Sequence, residues 1–334
     1  MKVVIPLAGF GTRLRPHTYT KPKPLLNVAG KPVLGHILDK FAGLSVEEVI
    51  FITGWLGDQI EAYVEANYAF PRTHYVEQRE LLGQAHAISL AAPYMDGPVL
   101  ILFVDTLFEA DLSPLDHEQA DAVIYAKEVE DPRRFGVVVL EGERITRFIE
   151  KPDGFDHRLA VIGLYWVKDG HWLMRAVQEL MERNIQTKGE FYLADAFQLM
   201  IDQGAHFRVE VVDVWEDCGK PETVLHTNRY LLENGHDNSA SVSTERSAIV
   251  PPVYIAPTAR VVQSVIGPYA TIADDCEVRN SIVRDSIIDR GARIEDTMLA
   301  RSLVGERAIV RGRYRVLNVG DSSHVSDSGY TEGV

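Results

Sequence analysis

The sequence predicts an α/β domain with a doubly covered, mainly parallel, Rossmann-like sheet, followed by a small left-handed parallel β-helix. Three observations predict it. Across the first ~235 residues, continuous apolar strand candidates alternate with helix-like segments. A polar stretch rich in Gly, Asn and Ser interrupts them at Asn234–Ser247. Beyond it, single aliphatic residues recur every five or six positions: Ile249, Ile255, Val261, Ile266, Ile272, Val278. A helix needs a period of about 3.6 and a free strand a period of two. A period near six, with turn residues between, fits β-helix coils.

Each element follows from its local pattern. Lys2–Leu7 is a short apolar strand that runs into a glycine-rich loop. Pro32–Phe41 reads as a helix, Val49–Thr53 as a strand and Leu56–Asn67 as a helix. Gly83–Ala92 reads as a helix and Val99–Val104 as a buried strand. Ala122–Lys127, Phe135–Leu140 and Arg144–Ile149 are strands by their alternating and β-branched residues. Trp172–Arg183 and Leu193–Gln203 are helices, and Arg208–Val214 is a last strand. The expected division is an α/β domain at 1–235, a linker at 236–247, a β-helix at 248–315 and a tail at 316–334. Each coil buries its aliphatics against its neighbours, so the β-helix is expected to be a self-contained stack. Its open ends need a cap, from another domain, the tail or another subunit.

Composition narrows the class. The chain has 334 residues, is 46% hydrophobic and 25% charged, and carries a net charge of −14. Such acidity argues against nucleic acid and anionic membrane as partners. No apolar run is long enough to span a bilayer. The N-terminus lacks signal-peptide features, and two cysteines, Cys218 and Cys276, make no disulfide framework. A cytoplasmic location is the expectation. The charge is uneven. Residues from Ala248 onward hold 10 Arg, no Lys and 11 acids, which leaves 24 basic against 37 acidic before them. Yet residues 1–38 contain no Asp or Glu, only Lys2, Arg13, Arg15, Lys21, Lys23 and Lys31 among charged groups. A cationic stretch in an acidic domain suits a small, strongly anionic ligand.

The stretch after the first strand reads Leu7-Ala8-Gly9-Phe10-Gly11-Thr12-Arg13-Leu14-Arg15-Pro16, then Lys21-Pro22-Lys23-Pro24-Leu25. Glycines admit phosphate oxygens close to backbone N–H groups, and Arg13 and Lys23 can neutralise them. A P-loop would require Gly-Lys-Ser/Thr, and a dinucleotide fingerprint a third glycine where Leu14 stands. Neither pattern is met. Asp105 closes a buried strand, where ligands of α/β sheets bind, and Asp217 also follows a strand. As isolated residues, both acids would read as turn or N-cap residues.

Together, these residues resemble the signature of the sugar-1-phosphate nucleotidyltransferases. The similarity continues through Gln78 and Gly83-Gln84-Ala85-His86-Ala87, then Phe135-Gly136-Val137-Val138 and Glu150-Lys151-Pro152. Val161-Ile162-Gly163-Leu164-Tyr165 and Trp215-Glu216-Asp217-Cys218-Gly219 complete it. The resemblance covers about residues 1–235, and hexapeptide extensions also occur in the family. It implies transfer of a nucleotide from a nucleoside triphosphate to a sugar 1-phosphate, with Mg²⁺. Leu7, Ala8, Gly9, Gly11, Thr12, Arg13, Gln78 and Gly83 would bind the nucleotide. Gly136, Glu150, Lys151 and Val161 would bind the sugar phosphate. Asp105 and Asp217 would hold the metal, and Arg13, Lys23 and Lys151 would join them in catalysis. One departure stands out: Val104-Asp105-Thr106 replaces the usual Gly before the acid and Asn after it.

The best match is to glucose 1-phosphate with dTTP; UTP, or mannose 1-phosphate with GTP, are alternatives. An inactive regulatory subunit is a reading of a different class. An acyltransferase role for the β-helix is disfavoured because Ala248–Arg315 contains no His to serve as base. A homo-oligomer assembled through the β-helix is expected instead.

Overall fold

The structure is a computed structural model and describes residues 1–312. The last three residues expected in the β-helix, 313–315, and the expected tail lie outside the described residues. Nine strands form one sheet: β1 Lys2–Pro6, β2 Glu48–Thr53, β3 Thr73–Glu77, β4 Val99–Leu102, β5 Ala122–Glu128, β6 Gly136–Glu141, β7 Arg144–Glu150, β8 Leu159–Val167 and β9 Phe207–Val211. Their order is β3-β2-β1-β4-β8-β5-β9-β7-β6.

Helices α1 Val33–Asp39, α2 Gly57–Asn67, α3 Gln84–Ser89, α4 Gly170–Glu182, α5 Leu193–Asp202 and α6 Pro221–Leu231 cover both faces. Side chains alternate along a strand, so Val3 and Ile5 join one core, with Leu34 and Ile60. Val4 joins the other, with Leu173, Val177 and Phe197. This double burial explains why β1, β2 and β4 read as unbroken apolar runs. None of the helices is long and apolar enough to cross a membrane among the described residues.

The expectation of a mainly parallel sheet is corrected. β3, β2, β1 and β4 are parallel, as are β5 and β9. β8, however, runs antiparallel to both β4 and β5, and β7 to both β6 and β9. The β6–β7 connection is the two residues Gly142-Glu143, which permits only an antiparallel pair. β8 was marked only through the resemblance at Val161–Tyr165, and other elements were not read from the pattern, three of which matter here. β3 is a half-buried edge strand with polar residues, and α6 begins at Pro221 and lacks a clear apolar stripe. The third is a two-stranded ribbon, Thr106–Glu109 against Val214–Asp217.

The C-terminal segment forms three parallel four-stranded stacks, arranged as coils. Inward columns run Ile249, Ile266, Val283, Leu299, then Ile255, Ile272, Ile288, Val304, then Val261, Val278, Ile294, Val310. Corner residues Gln263, Asn280 and Asp296 all have positive φ, which turns the chain at the same point of successive coils. Serines link the corners: the Ser281 amide donates to Ser264 Oγ and the Thr297 amide to Ser281 Oγ.

The stretch expected as a linker lies along the first coil. The Asn238 amide donates to the Val253 carbonyl, and its side chain bonds both backbone groups of Ile255. The coils also press on the α/β domain. A Cβ on Gly30, whose φ is +87°, would fall 2.3 Å from the Tyr254 ring. The Asn228 carboxamide, fully buried, accepts from the Ala29 amide and the Thr271 hydroxyl. Arg229 grips Asp285 in a two-pronged pair.

Candidate active site

A cleft of about 290 Å³ opens beyond the C-terminal ends of β1 and β4. Leu7, Ala8, Gly9, Lys23, Gln78, Gly83 and Asp105 line it, which gathers seven of the residues expected from the sequence. Gly9 carries no neighbour within 4 Å of its would-be Cβ, so its backbone is open to a ligand. Gly11 adopts φ +60°, and a Cβ there would lie 3.0 Å from Lys23 Cβ. Thr18 Oγ1 donates to the Gly11 carbonyl at 2.9 Å, which folds the loop back on itself. Thr12 starts a single 3₁₀ turn that carries Arg13.

Gln78 is buried beside the cleft, and its Nε2 lies 3.2 Å from His86 Nδ1. Gly83 has φ +115°, and a Cβ there would stand 2.6 Å from both the amide and the carbonyl of Phe191. Two bonds seal that contact: the Phe191 amide donates to the Leu82 carbonyl and the Ala85 amide to the Phe191 carbonyl. Only glycine fits there, so Gly83 fixes the start of α3 against the loop before α5.

The ribbon unites the two acids. Thr106 is the register partner of Asp217, and the Cys218 amide donates to the Asp105 carbonyl at 2.8 Å. β4 ends at Leu102, so Asp105 stands just past the sheet edge rather than within the strand. Thr106, the unusual neighbour of Asp105, is buried and donates its hydroxyl to the Ile162 carbonyl at 3.2 Å. That bond ties the acid-bearing turn to β8.

The cations converge on the same place. Lys23 Nζ is 3.9 Å from Asp105 Oδ2. Gly219, whose amide donates to Asp217 Oδ1 at 2.7 Å, also touches Arg13: a Cβ there would lie 3.2 Å from Arg13 Nη2. The Cys218 thiol is fully buried and bonded to the Thr227 hydroxyl at 3.6 Å, and burial pushes it up to about 12. The donors present are therefore two hard carboxylates, a set that suits Mg²⁺. Among the described residues no third His, Cys, Asp or Glu joins them. A divalent ion here would complete its shell with water or substrate oxygens.

The four residues expected on the sugar side form a second cluster. Gly136 is the register partner of Glu150 at the open ends of β6 and β7. A Cβ on Gly136 would lie 2.9 Å from Glu150 Oε2 and 3.3 Å from Val161 Cγ2. Lys151 Nζ is 3.6 Å from Glu150 Oε1. Lys151 has φ +51°, a conformation rare outside glycine, held by its amide's bond to the Phe135 carbonyl. Burial raises the Glu150 carboxyl above its usual range, opposed by Lys151 and Lys188.

A bulge joins the two clusters. β8 shifts register between Val161 and Tyr165, around Gly163 at φ +81°. The Gly163 carbonyl accepts from the Phe103 amide, and Phe103 lines the cleft. Sequence reasoning missed several residues here. Thr187 and Glu190 close a tight turn that sets Glu190 in the cleft wall and Lys188 within electrostatic reach of Glu150. Asp195, whose carboxyl burial raises, accepts from the Thr187 hydroxyl. The signal available was Lys188-Gly189-Glu190, a glycine between opposite charges just before a helix.

Known proteins are similar to this chain in sequence and in fold. The protein is 35% identical over 236 residues to the bifunctional protein GlmU of Methanocaldococcus jannaschii, covering 70% of this chain but 55% of GlmU. It is 29% identical over 337 residues to the glucose-1-phosphate thymidylyltransferase of Streptomyces griseus, covering 93% of each. The fold matches a UDP-glucose pyrophosphorylase complexed with UDP-glucose at a TM-score of 0.61 and 22% identity, over 70% of this chain and 98% of that one. The family model for nucleotidyl transferases spans residues 2–234, the whole stretch that carries both clusters, and the chain belongs to that family.

Proposed function

We propose that the protein joins a sugar 1-phosphate to a nucleoside triphosphate, releasing pyrophosphate, with glucose 1-phosphate and dTTP as the preferred pair. The observation that carries this reading is the convergence of Arg13, Lys23, Asp105 and Asp217 around the end of one ribbon, with Lys23 and Asp105 in the cleft wall. Attack of one phosphate on another is opposed by charge, so positioning and neutralisation matter more than a protein nucleophile.

The residues divide the work. The Leu7–Thr12 backbone and Lys23 receive the triphosphate, and Gln78 and Gly83 face the base. Lys151 holds the sugar phosphate, Glu150 accepts from sugar hydroxyls, and Gly136 and Val161 shape the pocket. Arg13 and Lys23 then stabilise charge as a sugar-phosphate oxygen bonds to the α-phosphorus and the bond to pyrophosphate breaks. Asp105 and Asp217 would hold Mg²⁺, which supplies further neutralisation of phosphate oxygens.

Substrate choice follows the extent of the match. The S. griseus thymidylyltransferase aligns over 93% of the chain, and so into the β-helix, whereas GlmU aligns over 70% of it. Self-association through the β-helix belongs to the same reading. Ile282 and Met298, register partners on its outer surface, are 40% and 76% exposed. Light scattering checks the subunit number.

The test is pyrophosphate release with dTTP, UTP and GTP, each against glucose 1-phosphate and mannose 1-phosphate. The fastest turnover is expected with dTTP and glucose 1-phosphate. A preference for GTP with mannose 1-phosphate would overturn the substrate assignment, and no release with any pair would overturn the activity.

A further inference from the structure

The loop that bears Arg13 and Lys23 has little structure of its own. Between Gly9 and Leu26 it holds only three single 3₁₀ turns, Thr12–Leu14, His17–Tyr19 and Lys23–Leu25. It also lacks acids, since none occurs before Asp39, so its cations must find partners elsewhere. Lys23 faces Asp105, and Arg13 lies over Gly219. Lys21 goes the other way. Its Nζ donates to Asp289 Oδ2 at 2.6 Å and lies 3.3 Å from Glu306 Oε2. Pro22 and Pro24 fix φ on either side of Lys23, so the two lysines keep their separate directions.

Both acids sit on rigid ground. Asp289 follows the strand Ile287–Ile288, and Glu306 comes two residues after Leu303–Val304 on the next coil. The Asp289 amide donates to the Val304 carbonyl, which locks the two turns together. The Lys21, Asp289 and Glu306 side chains are 18%, 13% and 30% exposed, so water screens the pair only partly. Beside them, a Cβ on Gly305 would lie 3.5 Å from His17 Nδ1, so the coil also meets the loop's middle turn. Gly11 meets both Thr18 and Lys23, which follow His17 and Lys21 in the chain, so a hold on His17 and Lys21 reaches all three.

We propose that the β-helix sets the working shape of the phosphate-binding loop through Asp289 and Glu306, making them positioning residues for the transfer reaction. Neither acid touches substrate; each acts through Lys21 on Lys23 and Arg13. The proposal rests on the activity inferred above. It gives the β-helix a part in each subunit's own chemistry, besides any role in assembly.

The experiment uses the full-length protein and the variants Asp289→Asn, Glu306→Gln, their combination, Lys21→Gln and Lys21→Arg. Hydrogen exchange of residues 12–25 reads the loop directly, and pyrophosphate release reads its consequence. In the double variant and in Lys21→Gln, loop exchange should rise while the coils stay protected. Turnover should fall roughly ten- to a hundredfold, as misplaced catalytic groups do. The KM for sugar 1-phosphate should shift less than about threefold, because Lys151 and Glu150 stand on another element; Lys21→Arg should restore turnover. A merely structural contact would lower the melting temperature without that split. Should the double variant fail to fold, Lys21→Gln removes the contact from the loop side alone. Unchanged loop exchange, or turnover within twofold of wild type, would overturn the proposal. If wild type itself turns over no substrate pair, the activity reading fails, while loop exchange still decides the contact.

Discussion

Asp105 and Asp217 are distant in sequence and adjacent in space because Thr106 pairs with Asp217 across a short ribbon. Each follows a strand-like stretch, which is all the sequence shows of them; the ribbon that unites them is too short to leave a pattern. Asp105→Asn and Asp217→Asn should each lower turnover by on the order of 10²–10³-fold, since in the proposed reaction the carboxylate charges serve a mainly electrostatic catalysis. Circular dichroism should be unchanged, because asparagine retains the acceptor that Gly219 uses at Asp217. Near-normal activity in either variant would remove that acid from the proposed metal site. The two clusters also predict a division of effects. Lys151→Ala should raise the KM for sugar 1-phosphate by roughly tenfold or more, with little change for the nucleotide. Arg13→Ala should act chiefly on the triphosphate side, and equal shifts in both KM values would refute the division. Residues within the quoted motifs were legible one by one. Lys188 and Glu190 were not, because a surface turn with alternating charges looks the same whether or not a cleft lies beneath it.

At the scale of elements, legibility followed periodicity. Buried β1, β2, β4 and β5 and helix α4 announce themselves, whereas β8 with its bulge at Gly163 and polar β3 depend on partners far away in the chain. Strand direction was legible at β6–β7, whose short connection demands an antiparallel pair, but not at β8, because a buried strand is equally apolar whichever way it runs. Gly83 shows how a local choice serves a distant contact. Gly83→Ala should destabilise the fold by about 1–3 kcal/mol, a loss that thermal melting reads, because a Cβ cannot coexist with the Phe191 backbone. Helix α1 gives a pH prediction. Burial lowers His36 to about 4, and its Nε2 sits 2.9 Å from the Val28 carbonyl. Nearby His236 and Lys31 push the same way and Asp39 opposes them. The folded state therefore prefers neutral His36, while the unfolded chain takes up a proton below about 6.5. The stability it contributes is complete above that pH and is lost as pH falls towards 4. Between pH 7.5 and 5 the wild type should lose about 2 kcal/mol more than His36→Gln, as measured by denaturant titration. Parallel pH profiles would show that His36 remains protonated in the fold.

For the whole molecule, the six-residue period announces a β-helix but says nothing of where it docks, because the docking residues are scattered single positions. Tyr254, Tyr269 and Leu303 pack against the same core as Val28 and Leu34, and Ile287 is a buried member of it. Asn228, buried within the first domain, needs the Thr271 hydroxyl and the Tyr269 carbonyl as partners. Arg229 and Lys21 make their ion pairs with acids on the coils. A stack that shares a core with its neighbour is not an appendage. Truncation after His236 would therefore expose apolar surface, strip partners from Asn228 and Arg229, and free the phosphate-binding loop. Losses of this kind typically reach several kcal/mol, so the truncated protein should melt roughly 10 °C or more below the full chain. Turnover should fall at least tenfold even at temperatures where the shortened protein remains folded, because the loop loses its hold on Lys23 and Arg13. Calorimetry and pyrophosphate release on the two proteins, side by side, decide the matter. A truncated protein that melts and turns over like the full chain would establish the β-helix as an independent module, and the shared core would then be of no energetic consequence.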